Sequence, residues 1–191
     1  SAKKIAFWKG KGAFHSKKIL KDESYYLPYL TFRDFGEWFD SFGNILAVLS
    51  GIADKKRSET ILRFIKKYKI ADPFPIKAIY PPVLPGEKDW RDYYKLSNLN
   101  LPGQYHNGGI WPFLGGFYTA ALMKMKKYSE ARGVLELLAR LNKKGGDSEW
   151  EFNECFHGKT GRPIGKAEQA WSAGMYIYAY ESVRRKKAPF F

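Results

Sequence analysis

Apolar residues recur at helical spacing in five stretches of the chain, and the segments between these stretches alternate in length. Residues 45–50 are apolar on every side, which predicts a short buried helix capped by Asn44 and ended near Gly51. A second helix is predicted from a Ser58 cap to about Lys69, with Ile61, Leu62, Ile65 and Tyr68 on one stripe. The third covers roughly 109–126 and carries Leu114, Phe117, Ala121 and Met125 at helical spacing. Ser129 is the expected cap of a fourth, reaching about Asn142, with Val134, Leu135, Leu138 and Leu141 turned inward. A fifth runs from about Lys166 to Arg184, its apolar face formed by Ala170, Trp171, Gly174, Ile177 and Tyr178. Little strand is expected, so the fold class is all-α.

The links at 51–58 and 126–129 are short, whereas those at 70–108 and 143–165 are long and rich in Pro, Gly and aromatic residues. Helices joined by short links run antiparallel. Both long loops, and the 33–44 approach to the first helix, should therefore emerge at one end of the helical array. Long structureless loops inside a compact domain are usually functional, and the expected site lies at that end. The 191 residues suffice for one domain, and the basic stretch 1–24 is expected to be an irregular lead-in.

Composition changes this picture only in part. Aromatic residues make up 17% of the chain, enough for a heavily packed core or for a surface that stacks on sugars. The formal charge of +14 raises nucleic acid as a partner, but the basic residues are scattered as pairs on helix ends and polar faces. No zinc spacing or basic heptad accompanies them, so a solvated Lys-rich surface is the favoured account. No apolar run approaches a membrane span, and Ser1-Ala2-Lys3-Lys4 does not open a secretory signal. Cys155 is the single cysteine, which excludes an internal disulfide and suits a cytoplasmic location. His15, His106 and His157 are unpaired, so neither metal nor cofactor is expected.

Three segments carry candidate chemistry. If 148–158 is extended, Trp150, Phe152, Glu154 and Phe156 share a face, which places a carboxylate among aromatic rings. Such burial raises a carboxyl pKa and permits acid/base work; the alternative is an ion pair of Glu154 with Arg162 or Lys166. The segment Tyr105-His106-Asn107-Gly108-Gly109-Ile110-Trp111-Pro112 combines a phenol, an imidazole, a carboxamide and an indole, which suit hydroxyl recognition and stacking. Its alternative is a helix start in which Asn107 is the cap. Asp40 could add a second carboxylate to the same rim, although an Asp just before a helix is more often its cap.

These residues resemble a known family. Phe39-Asp40-x-x-Gly43-Asn44, Tyr105-His106-Asn107-Gly108-Gly109-x-Trp111-Pro112, Glu154 followed by Gly161-Arg162-x-Ile164-Gly165-Lys166, and Gln169-x-Trp171-Ser172 stand in the order seen in alkaline/neutral invertases. The second and last elements are also similar to those of the glucosidase domain of glycogen debranching enzymes (amylo-α-1,6-glucosidase). The resemblance covers roughly residues 25–184. It implies helical hairpins forming part of an α/α toroid of the six-hairpin glycosidase type, its C-terminal half, with long loops at one end. It further implies hydrolysis of a glycosidic bond with inversion, Glu154 standing at the position of the general base. Tyr105, His106, Asn107, Trp111, Gln169 and Trp171 match positions expected to line a sugar pocket.

The family's general acid lies in the half of the toroid that has no counterpart in this chain. A partial toroid also leaves apolar helix faces uncovered. The resemblance therefore implies that the chain is a fragment, or one subunit whose toroid a second chain or further copies of this one complete, or a degenerate homologue. Sucrose and an α-1,6-linked glucan are both open as substrates. A non-catalytic carbohydrate-binding or assembly subunit is the second hypothesis, and a basic nucleic-acid-binding protein the third.

Overall fold

The computed structural model describes residues 25–191; the expected lead-in over 1–24, and His15 with it, lies outside them. Among the described residues the order is β1 (Phe39–Asp40), α1 (Ser41–Ser50), α2 (Lys55–Lys67), β2 (Ile79–Tyr80), α3 (Tyr93–Ser97), α4 (Pro112–Lys124), α5 (Tyr128–Lys143), β3 (Cys155–Phe156), β4 (Pro163–Ile164) and α6 (Ala170–Arg185). The chain is helical as its periodicity predicts, and its strands are two-residue pieces. The short helix α3, inside the 70–108 loop, is the one helix that the periodicity did not announce.

Of the two candidate caps of the first helix, Asp40 is used and Asn44 is not, and Ser58 and Ser129 do not cap the helices expected of them. Asp40 caps α1, its carboxylate accepting from Phe42 N at 3.2 Å and Gly43 N at 3.0 Å. Asn44 lies a turn inside the helix, buried, and its amide grips the 25–26 segment through Tyr26 N and O. Asp54, not Ser58, caps α2 through Arg57 N at 2.7 Å, and the Ser58 hydroxyl donates to Ala53 O instead. Helices α4 and α5 begin without a side-chain cap; Pro112 opens α4, where its missing N–H costs nothing.

Helix α4 is the hub. It packs against α1, α5 and α6, and Leu114, Tyr118, Ala120, Ala121, Leu122 and Met123 are all buried on it. Gly116 makes the tightest of these contacts. A Cβ there would lie 2.7 Å from the Met175 carbonyl, so α6 approaches α4 backbone to backbone. Helices α2 and α5 keep their predicted stripes: Ile61, Leu62 and Ile65 on one, Val134, Leu138 and Leu141 on the other.

The inward face of α6 is not the one its hydrophobic pattern suggests. Ser172, Ala179 and Ser182 are buried, whereas Ala170, Trp171, Gly174 and Ile177 are exposed, Ile177 at 62%. At the close approach the Met175 backbone and side chain lie against Gly116, on the same side of α6 as the small Ser172, Ala179 and Ser182. The buried serines are satisfied by Asn153 O and Tyr178 O. Ile177 and Tyr180 are left exposed on one side of α6 with nothing described covering them, and Trp171 is exposed at the helix start.

A ladder of backbone bonds runs through the long loops. Ser41 N donates to Ala78 O, Ala78 N to Gly109 O, and Ile110 and Phe156 exchange bonds at 2.9 and 2.8 Å. Cys155 then pairs with Ile164, and Gln169 N donates to Phe152 O. The starts of α1, α4 and α6 all hang from this ladder. The long loops therefore lie at one end, as the alternation of link lengths predicts.

Candidate active site

The 104–112 segment folds as a knot of tight turns. Asn107, 4% exposed, places its amide between two neighbours: Nδ2 donates to Val83 O and Asn100 O, and Oδ1 accepts from Val83 N at 2.7 Å. It therefore clamps the 81–103 loop onto the motif and does not cap α4, whose cap position is Trp111. Tyr105 sits in the left-handed region (φ 44°), which turns its carbonyl to accept from Trp111 Nε1 at 3.1 Å. The His106 ring lies parallel to the Trp111 indole, 4.7 Å away at 4°. Trp111 is only 6% exposed, whereas His106 is exposed. The flat surface offered outward at this point is the imidazole, with the indole behind it. Burial lowers the His106 pKa, opposed by the nearby Glu154 charge, and keeps the ring neutral at neutral pH.

The loop that delivers Glu154 is held by another carboxylate. Glu151 accepts from Gly146 N, Asp147 N and Ser148 N at 2.6–2.7 Å and from the Asn153 amide at 3.0 Å. Closing around it places Trp150 (φ 63°) and Phe152 (φ 50°) in the left-handed region. The expected extended alternation over 148–158 is broken for this reason, and only Cys155–Phe156 is strand. Trp150 and Phe152 gather instead around Tyr176, while Phe156 is fully buried with Ile110 and Leu141.

Those backbone N–H groups lower the Glu151 pKa to about 2. A depressed carboxylate contributes stability that is fully present above its ordinary value and is lost as pH falls through about 2. Amide resonances of Gly146, Asp147 and Ser148 should accordingly move with one midpoint near pH 2. Glu151→Gln should remove that transition; a midpoint in the ordinary carboxylate range would contradict the contact.

Glu154 is half-buried. Its own N–H donates to Lys166 O at 2.7 Å, and its Oε2 accepts from Lys166 N at 3.3 Å. It forms no ion pair with Arg162 or Lys166: what Lys166 supplies is main chain. Oε1 has no protein partner among the described residues. Cys155 next to it is buried, its Sγ donating to Ile164 O at 3.0 Å, and burial pushes its thiol up to about 12. It is therefore no nucleophile.

The remaining candidates lie where the ladder meets the helix starts. Burial raises the Asp40 pKa against its two backbone donors. Gln169 is the cap residue of α6, its side chain donating to Ala167 O at 2.8 Å, and Trp171 follows at 48% exposure. Phe42 meets Phe113 and Phe117 at 5.6 and 5.5 Å, extending an aromatic run from His106 and Trp111 across α4 to α1. That run escaped the sequence reading, because Phe42 and Phe113 come together only when α1 packs on α4. Glu151 was also missed; its signal was the Gly145-Gly146 pair upstream, whose small residues let the backbone wrap a carboxylate.

The sequence model of a family described as alkaline and neutral invertase matches residues 21–185. The chain belongs to this family. Cytosolic invertase 1 of Oryza sativa subsp. japonica is 33% identical over 147 residues, 74% of this chain and 25% of the relative. Probable alkaline/neutral invertase F of Arabidopsis thaliana is 36% identical over 148 residues, 74% of this chain and 28% of the relative. Neutral/alkaline invertase 1, mitochondrial, again from rice, is 33% identical over 144 residues, 73% and 22%. The chain thus spans about a quarter of the length of the curated relatives it matches. The invertase side of the resemblance is the one these relatives carry. No helix among the described residues is long and apolar enough to cross a membrane.

Proposed function

We propose that this chain carries the general base and the sugar pocket of an inverting glycoside hydrolase of the invertase type, with sucrose as substrate. The observation that supports it is Glu154: a half-buried carboxylate, one oxygen on a main-chain N–H and the other without a protein partner, close enough to His106 to act on its titration. Its free Oε1 is suited to take a proton from the water that attacks the anomeric carbon. An acid supplied by the rest of the toroid protonates the leaving oxygen, and in such pairs the carboxyls stand about 6.5–9.5 Å apart.

His106 and Tyr105 offer hydrogen bonds to sugar hydroxyls, with Trp111 holding the imidazole in its plane. Trp171 presents an exposed indole face at the same end, beside Gln169. Asn107 serves the pocket through the 81–103 loop, and Asp40 stands on the rim as the cap of α1. The exposed side of α6 that carries Ile177 and Tyr180 is where the helices that complete the toroid would pack.

Incubation with sucrose, followed by NMR, tests this reading. It expects glucose to appear first as the anomer inverted from the substrate. Retention at that carbon would reject the mechanism. Glucose release from an α-1,6-linked glucan and not from sucrose would reject the substrate. Sugar binding without hydrolysis, with the toroid complete, would leave a carbohydrate-binding subunit.

A further inference from the structure

We infer that Gly165 is a positioning residue for Glu154, because the carboxylate lies in the space where a side chain at 165 would be; this rests on the reading of Glu154 as the base. Gly165 follows β4 and has φ +103°. A Cβ built on it would stand 2.7 Å from Glu154 Oε2, 3.0 Å from Glu154 Cβ and 3.0 Å from Cys155 Sγ. No real Cβ tolerates the first distance, so something must move. Cys155 is buried and bonded to Ile164 O, and the Glu154 main chain is bonded to Lys166 O. The freest group in contact is the carboxylate itself.

The same two residues that crowd it also hold it. Lys166 N, next in the chain, donates to Oε2, so Gly165 and Lys166 act as floor and clasp of one seat. The carboxylate meets Gly165 and Lys166 through Oε2, while Oε1 has no protein partner among the described residues. A methyl group at 165 would lift Oε2 off the Lys166 N–H and carry Oε1 with it. A general base must lie within hydrogen-bond reach of its water, and a shift of about 1 Å is enough to cost on the order of a hundredfold in rate. Because the base acts in the transition state and does not hold the sugar, the loss falls on kcat and spares KM.

The left-handed backbone at 165 strains any L side chain, so loss of stability in Gly165→Ala does not by itself identify the seat. A double-mutant cycle does. Gly165→Ala is placed in the wild-type chain and in Glu154→Ala, and unfolding is followed in denaturant. The backbone strain is common to both backgrounds; the contact with the carboxylate exists in only one. A smaller cost in Glu154→Ala supports the seat, and an equal cost overturns it.

On sucrose, Gly165→Ala should lower kcat about a hundredfold with KM little changed. Gly133→Ala, where a Cβ meets open space on α5, should leave both unchanged. Coupling in the cycle with full kcat in Gly165→Ala would overturn the positioning role. If the wild-type protein hydrolyses nothing even with the toroid complete and its acid supplied, the reading of Glu154 as a base fails, while the cycle still decides whether Gly165 seats its carboxylate.

Discussion

Glu154→Gln is expected to lower sucrose hydrolysis by on the order of 10²–10⁴-fold, the range general acid–base catalysis supplies. The substitution keeps the volume of the side chain, and its amide oxygen can still accept from Lys166 N. What is lost is the basicity needed to take a proton from water, so kcat should collapse while KM and unfolding change little. A second consequence comes from His106. Glu154 raises the His106 pKa against the larger lowering by burial. Removing the charge should move the His106 midpoint further down, measurable by NMR titration of the ring. Undiminished kcat in Glu154→Gln would remove Glu154 from the mechanism, and an unmoved His106 would separate the two groups.

Phe156→Ala is expected to destabilise the fold by about 3–5 kcal/mol, the usual cost of emptying a buried aromatic site. The ring is fully buried against Ile110 and Leu141 with Phe74 beside it. Its main chain exchanges two bonds with Ile110, two residues after Tyr105-to-Gly108 has turned. Denaturant unfolding measures the loss; a value under about 1 kcal/mol would mean that the cluster does not bear on stability. Because Phe156 lies two residues after Glu154 and joins its strand to the Tyr105–Pro112 segment, kcat should fall beyond what the unfolded fraction explains. Equal activity per folded molecule would show that the ladder positions the base without help from this ring.

The chain by itself determined where its helices are, the five-residue α3 excepted. Repetition of apolar residues at three- and four-residue intervals is a local property, and each long stretch that shows it is helical here. The alternation of short and long links was likewise enough to bring 33–44, 104–112 and 149–165 to one end, since antiparallel hairpins leave little choice. The ordered motifs around Asp40, Tyr105, Glu154 and Gln169 carried the family.

Tertiary structure decided how those pieces are used, because each remaining choice depended on a neighbour distant in sequence. Asp40 rather than Asn44 caps α1, since Asn44 is taken by the 25–26 backbone. Asn107 does not cap α4 because Val83 and Asn100 hold its amide. Helix α6 leaves Trp171 and Ile177 exposed because the side that meets α4 is the one carrying Met175, which lies against Gly116, with Ser172, Ala179 and Ser182 buried beside it. The alternation around Glu154 fails because Glu151 draws three N–H groups around itself and bends the chain. Periodicity records which face of an element is apolar; only packing determines what that face meets, and the place of Glu154 over Gly165 is a contact of the second kind.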